Sequence, residues 1–596
     1  MQIYGSDIDG IEGKLIRFTA VKEEGKRGVT LLGLAQKVVK EGYMRAAKAL
    51  ETLDGDWSAA LSGSGYTIQL NPAETQKNSS GLDLPIAIML LYTSILKGLE
   101  IIDDQITELE RKSENIKNDQ ERAELKDSLL EKIEALNDQK EIVIKYRKRL
   151  NENKNKYLLI GTFDIFSGEI MTPEYGMFGM IASAEKGFTV IIPEDSEVHG
   201  AVISKARPDI RVLKAKDLQE VWDIILGVSR IRKVRHSIDK IKRKIVNKYV
   251  PDLKAIDGVS LAKRAIIVAL AGGHNILLVG PPGQGKTMLA LASTKLLPKL
   301  THSEMFEINK VYSAKGDLRG NEVMLDRPFQ EVSNVTQAAL FGGGTRPPVP
   351  GIVTLAHNGV LFLDEINLLP TNIIEHLRNT LNDRVQRVQR LHGTIKYPCN
   401  FIMISAMNPC KCGWFGHYIC PKCNEIYFGK GSKCPEHPEI NLLSKCNCQH
   451  RDIIKYRDKL SQPLLDRIDL KVFLSPYDRG DIETKKYASQ TIKNKIQNAR
   501  DNQRKRYEKE HFGFCNAWIP DKSEFERCTP SIKDNVLEYI NDMYKQLSLT
   551  KRQEVKLLLV ARTIADLDDV RDIRVKDINL AVNLMGLKHP YFAGLL

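Results

Sequence analysis

Residues 275–287 read "NILLVGPPGQGKT", a short apolar strand, a glycine loop and the first turn of a helix. The G-x-x-x-x-G-K-[ST] spacing is filled by Gly280, Pro281, Pro282, Gly283, Gln284, Gly285, Lys286 and Thr287. Glycines let backbone amides close around phosphates, a lysine here reaches the β- and γ-phosphates, and the threonine hydroxyl can ligand magnesium. Chance matches to this spacing exist, but few follow an apolar strand. A second apolar strand, "GVLFLDEI" (359–366), ends in two carboxylates. Asp364 would hold Mg2+ and Glu365 would polarise the attacking water. Two ordinary strands with an acidic end would not explain the spaced glycines, so the pair of motifs predicts an ATP-hydrolysing P-loop core.

A third apolar strand, "FIMISAMN" (401–408), ends at Asn408, where a polar side chain could sense the γ-phosphate or position water. Farther on, "LSQPLLDRIDL" (460–470) carries Arg467. A ring ATPase inserts such an arginine into its neighbour's site. A structural salt bridge is the other reading, and the residues alone leave both open.

The chain has 596 residues, enough for two to four domains, with 42% hydrophobic and 27% charged residues. Its net charge of +13 is compatible with a polyanionic partner and equally with a merely basic surface. The N-terminus "MQIYGSDIDG" lacks a secretory signal pattern, and the longest apolar run, 82–96, is interrupted by Asp83 and Pro85. These features predict a cytoplasmic protein with no membrane span, where clustered cysteines mean metal more often than disulfides.

Residues 1–97 alternate short apolar segments with glycine turns, as an α+β domain does, and that domain resumes at 157–227. Between 103 and 156 glycine and proline vanish. Leu109, Ile116, Ala123 and Leu130 recur every seven residues, as do Leu129, Leu136, Val143 and Leu150, one position out of phase. The phase break favours two helices in an antiparallel hairpin, with arms of roughly 37 Å, over one long helix with a stutter. The basic stretch 228–250 reads as a linker with a solvated face, with nucleic-acid contact as the sharper alternative.

These motifs in this order resemble the AAA+ superfamily, its magnesium-chelatase-like group, and most closely the ComM/YifB family. The resemblance rests on 271–290, 346–366, 397–413, 464–470, "LVARTIADL" (559–567) and "GLDLPIAI" (81–88). It implies a multidomain α/β chain. Residues 1–227 would be a Lon protease-like domain carrying a coiled-coil insertion at 103–156, and 228–250 a basic linker. The AAA+ core would occupy 251–475, with a zinc-binding insertion at 410–448, and a helical lid would occupy 476–596. By position, Arg467 matches the family's arginine finger, and Arg552 the second-sensor arginine that contacts nucleotide from the lid. Segments 342–359 and 384–400 look like the family's pore-directed inserts. Where the family shows "RPFR-PHH", this chain has "RPFQEVSN" (327–334), which leaves that histidine pair without a counterpart. In the Lon-like domain Ser79 and Ser80 lie near the nucleophile's place, but Met180 stands where the lysine base belongs, and Lys186 lies too far along. Without a base the serine is not activated, so the domain reads as a non-proteolytic scaffold.

The cysteines fall into two sets. Cys420-x-x-Cys423 and Cys434-x-x-His437 have zinc-ribbon spacing. Around them, Cys410-x-Cys412 and Cys446-x-Cys448 form an outer set that rests partly on the resemblance. Four protein ligands leave no open position, so both Zn2+ sites read as structural. His417 and His450 are substitute ligands in principle, and Cys399, Cys515 and Cys528 read as ordinary thiols. Lys411, Lys422, Lys430, Lys433 and Lys445 lie among the ligands, as in a nucleic-acid-binding zinc module or any solvated loop.

The expected cofactors are therefore ATP, Mg2+ and Zn2+. The expected function is a homo-hexameric motor on single-stranded or branched DNA, which the resemblance specifies as helicase or branch-migration activity in recombination or natural transformation. A chelatase- or MoxR-like ATPase remodelling a protein client is the alternative. A protease is disfavoured by Met180, chelatase proper by the cysteines and the N-terminal domain, and a non-enzyme scaffold by the complete hydrolysis set. The coiled-coil insertion could recruit a protein partner.

Overall fold

The computed structural model describes residues 1–23, 28–34, 37–50, 65–73, 77, 80–114, 120–228, 234, 250–318, 322–344, 349–390, 393–428, 433–474, 489–510, 513 and 515–592. Nearly all of the expected linker 228–250, together with Ser79 and Lys430, lies outside the described residues, as does 476–488 at the start of the expected lid. The chain forms two compact units, 1–244 with 302–325 and 344–349, and 245–301 with 326–343 and 350–596. The expected AAA+ range 251–475 thus includes two stretches that pack with the first unit.

Among the described residues, the first unit contains a seven-strand sheet in the order Gly28–Leu32, Gly65–Asn71, Glu12–Glu23, Gln2–Asp9, Lys156–Leu159, Thr189–Pro193, Arg211–Ala215. Glu12–Glu23 pairs antiparallel with both Gln2–Asp9 and Gly65–Asn71, Gly28–Leu32 pairs parallel with Gly65–Asn71, and the pairings from Lys156–Leu159 onward are parallel. Glu12–Glu23 alternates, with Ile16 and Phe18 turned into the core, whereas in Thr189–Pro193 every residue after Thr189 is apolar and buried. The helix Asp83–Glu114 begins in this core, where Leu84, Ile86, Ala87, Ile88 and Leu90 are fully buried. At its start the buried Asp83 carboxylate accepts from Arg45 Nε at 2.6 Å and Nη2 at 3.2 Å, and from Thr162 Oγ1 at 2.6 Å. A buried carboxylate is tolerated only when so matched.

That helix runs unbroken through residue 103, so the apolar run and the first insertion arm are one element. A second helix, Gln120–Glu152, lies beside it, with Lys140 pairing to Asp103 at 2.5 Å. Of the two heptad sets, Val143 and Leu150 are buried and Leu136 packs on the core, while Leu130 of the other set is exposed and Ile116 lies outside the described residues. Met180 is buried in the helix Met177–Ala182. The helix His302–Lys315 packs on this helix and on Glu197–Ala206. Asn309 fixes it, donating to Met305 O and Met324 O and accepting from the Met324 amide.

The second unit has, among the described residues, a five-strand parallel sheet in the order Phe329–Val332, Val360–Leu363, Ile402–Met407, Ile276–Val279, Leu470–Phe473. The segment 327–334, which departs from the family pattern, supplies the edge strand. Helices Ser260–Gly272, Lys286–Leu296, Ser489–Tyr507, Lys551–Leu567 and Val575–Leu584 join one core, and Thr371–Asp383 and Gln462–Leu465 another. Lys551–Leu567 starts with a capping box from Thr550 and Gln553. Its buried Arg562 donates to Val570 O and pairs with Asp566, which also holds Arg506 at 2.6 Å. This network accounts structurally for the "VARTIADL" signature. Residues 385–390 and 393–398 form an antiparallel pair where the insert at 384–400 was expected. No described helix is long and apolar enough to cross a membrane.

Candidate nucleotide and metal sites

Strand Ile276–Val279 lies between Ile402–Met407 and Leu470–Phe473, the place in an open parallel sheet where a crevice forms beyond the carboxyl ends of the strands. The phosphate loop leaves from that end. Gly283 and Gly285 have φ of 78° and 72°, a left-handed conformation that costs glycine nothing. The helix Lys286–Leu296 follows directly, its free amides at the loop.

The predicted residues converge here. Lys286 Nζ donates to Gly280 O at 2.7 Å, Pro281 O at 2.9 Å and Asn408 Oδ1 at 3.1 Å. Thr287 Oγ1 donates to Asp364 Oδ2 at 3.2 Å, which places two hard oxygen ligands side by side as magnesium requires. Glu365 is exposed at φ 48°, and its amide donates to Asp364 Oδ1. The left-handed turn separates the two carboxylates, leaving Asp364 with Thr287 and Glu365 unengaged by it.

Burial pushes the Lys286 ammonium down to about 8, against the opposing pull of the Asp364 and Glu365 carboxylates. Phosphates bind the protonated form, so above that pH binding must take up a proton. Nucleotide affinity is therefore expected to fall by up to about tenfold per pH unit above pH 8. Titration of a fluorescent ATP analogue across this range checks it, and a flat profile contradicts it.

Arg467 lies at the other end of the same strands. Asn275, which opens strand Ile276–Val279, donates from Nδ2 to Arg467 O at 3.3 Å, and its carbonyl receives the Asp469 and Leu470 amides. Four residues of strand, roughly 13 Å, separate this end from the phosphate loop. Burial lowers the Arg467 pKa, and the charges of Arg552 and Arg378 lower it further. Arg552 stands one turn before Lys556, which pairs with Asp469 at 2.5 Å. Both predicted arginines thus come together, with Arg378 as a third that the sequence reading missed, at the strand end remote from their own chain's phosphate loop. Arg467 Nη1 donates to Pro463 O and Arg378 Nη1 pairs with Glu375 at 3.1 Å.

Both cysteine sets assemble. Cys410, Cys412, Cys446 and Cys448 place their sulfurs within 4.8 Å of one another, as Cys420, Cys423, Cys434 and His437 do their ligand atoms. Thiolate–zinc bonds of about 2.3 Å require tetrahedral sulfurs roughly 3.8 Å apart. The separations are 3.3 Å for Cys410–Cys412, 3.7 Å for Cys410–Cys446, 3.5 Å for Cys412–Cys446 and 3.9 Å for Cys423–Cys434, far beyond a disulfide bond. Both donor sets fit a tetrahedral thiophilic metal. Burial opposes ionisation of Cys412, but the Trp414 and Asn447 amides and the neighbouring thiols bring it down to about 6.

The buried His417 bonds through Nδ1 to Phe415 O and stacks against Phe473, and the exposed His450 begins the helix His450–Arg457, so neither belongs to a ligand set. The buried Cys399 thiol is pushed up to about 12 by desolvation, as in an inert core thiol. Cys528 neighbours Glu510 and Glu524, but Arg527 engages both carboxylates. Lys411, Lys422 and Lys433 are exposed, and Lys445 sits 3.1 Å above the Trp414 ring.

In the first unit the described Ser80 begins the short turn Ser80–Leu82. Nearby, Lys77 is buried and donates from Nζ to Pro72 O, a lysine that no sequence pattern marked.

Comparison with known proteins matches three family models: "Magnesium chelatase, subunit ChlI" at 252–432 and 430–482, its C-terminal model at 486–585, and "Subunit ChlI of Mg-chelatase" at 19–109. The competence protein ComM of Haemophilus influenzae is 28% identical over 96% of this chain and 94% of its own. YifB of Escherichia coli is 28% identical over 91% and 89%. The magnesium-chelatase 67 kDa subunit of Heliobacterium mobile is 28% identical over 28% of this chain and 29% of its own length.

Proposed function

We propose, for a chain that belongs to the ComM/YifB family of magnesium-chelatase-like proteins, that it is an AAA+ ring ATPase driving movement on DNA, a helicase or branch-migration factor of recombination or natural transformation. The observation that carries the ATPase is the convergence of Lys286 with Asn408 and of Thr287 with Asp364 at the end of one parallel sheet. Lys286 would exchange its loop carbonyls for β- and γ-phosphate oxygens. Thr287 and Asp364 would hold magnesium, which when bound supplies charge neutralisation at the phosphates. Glu365 would accept the proton of the attacking water, and Asn408 would register loss of the γ-phosphate.

Arg467 and Arg552 stand remote from this site in their own chain, so they would serve a neighbour's. That favours a ring built from head-to-tail contacts, of which a hexamer is one closure. The helices after 489 would act as the lid and the first unit as a Lon-like scaffold without protease activity. Residues 103–156, carried by the later part of the helix Asp83–Glu114 and by Gln120–Glu152, would be the coiled-coil insertion, open to a protein partner. Both metal sites would hold zinc, and the lysines among their ligands would face DNA. The match of a competence protein over nearly the whole chain supports DNA as the substrate.

The test is ATP hydrolysis and four-way-junction processing by the purified protein. Junction DNA is expected to raise the hydrolysis rate several-fold, and ATP to drive strand exchange. Hydrolysis indifferent to single-stranded, duplex and junction DNA would instead favour the protein-remodelling reading, which the match to magnesium-chelatase subunits supports.

A further inference from the structure

The outer cysteine set begins two residues after Asn408, and the knuckle it forms reaches the phosphate loop. Gly413 has φ 81°, and a Cβ placed on it would lie 2.7 Å from Pro282 Cδ. Pro282 is the third residue of the phosphate loop. The Gly413 amide closes the knuckle by donating to Cys410 O, Tyr591 Oη holds it from outside by donating to Pro409 O at 3.1 Å, and just before Asn408 the Gly280 amide of the phosphate loop donates to Met407 O at 3.2 Å. Cys446 and Cys448 then close it across more than thirty residues of intervening chain. The inner set hangs instead on the antiparallel strands His417–Ile419, Ile426–Phe428 and Leu443–Ser444.

We infer that the outer four-cysteine centre positions the ATPase site: a metal bound there holds the 409–413 knuckle against Pro282 and sets Asn408 beside Lys286. The physical reason is local. Four sulfurs within 4.8 Å of one another fit a single tetrahedral ion, and such an ion ties the knuckle to Cys446 and Cys448. When that closure is lost, residues 409–413 regain chain entropy and the phosphate loop loses the surface on which Pro282 rests. Emptying the outer centre weakens nucleotide binding, while emptying the inner centre leaves it intact. The inference rests on the reading of both sets as zinc sites, and the experiment separates the two.

Full-length wild type, a Cys446→Ser/Cys448→Ser variant, a Cys423→Ser/Cys434→Ser variant and Gly413→Ala are compared. Zinc per chain is measured by elemental analysis, affinity by titration with a fluorescent ADP analogue, and folding by thermal melting. Wild type is expected to hold one zinc per set and each cysteine variant to lose one. The outer variant is expected to bind ADP about tenfold more weakly, and the inner variant within about twofold of wild type. Gly413→Ala folds and keeps both metals, with a modestly lower melting temperature because φ 81° strains any side chain, yet loses affinity, because the added methyl displaces Pro282; a merely structural knuckle would not give that split. If wild type carries no zinc, the metal reading and the inference fall together. An outer variant that loses zinc but binds ADP like wild type overturns the inference and leaves the metal reading standing. If the outer variant fails to fold, Gly413→Ala decides, and unchanged ADP affinity overturns the inference.

Discussion

Glu365→Gln is expected to lower ATP hydrolysis by about 10²- to 10⁴-fold while nucleotide stays bound. Its neighbour Asp364 is engaged with Thr287, so the metal-side carboxylate is accounted for, and Glu365 is the one left exposed at the loop. Its φ of 48° belongs to a conformation that costs a residue with a side chain on the order of 1–3 kcal/mol and that clusters at functional sites. In the proposed mechanism the two adjacent carboxylates would serve different tasks. Glutamine preserves size and hydrogen bonding but cannot accept the water's proton. Single-turnover hydrolysis and nucleotide affinity, measured together, check the split. Equal losses in both would mean that Glu365 holds the nucleotide rather than activating water.

Arg467→Ala is expected to cost about 10³- to 10⁵-fold in hydrolysis. Its guanidinium is partly desolvated beside Arg552 and Arg378, with Glu375 and Asp466 as the opposing charges that act on it. Three clustered cations gain most from an incoming polyanion, and a neighbour's triphosphate is one. The loss should fall on turnover, because the chain's own phosphate loop is untouched, so nucleotide affinity stays near wild type. Steady-state kinetics with a parallel binding titration reads this directly. A large fall in affinity with turnover preserved would assign Arg467 to ground-state binding instead.

The phosphate loop, Asp364, Glu365 and Asn408 were legible because each motif is local: a strand, its terminal polar residue and a fixed spacing. The metal sets were legible for the same reason, since a C-x-C or C-x-x-C pair carries its geometry within four residues. What depends on long-range packing was not. Nothing in "NIIEHLRNTLND" marks Arg378 as a neighbour of Arg467, because that proximity arises only when the helix Thr371–Asp383 folds back along the sheet. The recruitment of His302–Lys315 into the first unit is likewise invisible in a sequence whose flanks belong to the second. The heptad runs were visible as two phases, but burial of Val143 and Leu150 against exposure of Leu130 is decided by the core beneath one end of the helices. The contact between Gly413 and Pro282 has no sequence signature at all.

In the proposed ring each hydrolysis site would take Glu365 from one chain and Arg467 from the next. Mixing Glu365→Gln chains with Arg467→Ala chains tests it most directly. At equal amounts about a quarter of the interfaces in a mixed ring regain both intact residues. Hydrolysis in the mixture should therefore rise well above that of either variant alone, and should depend on assembly of mixed rings. A mixture that never exceeds the average of the two separate proteins, although mixed rings form, would contradict the account.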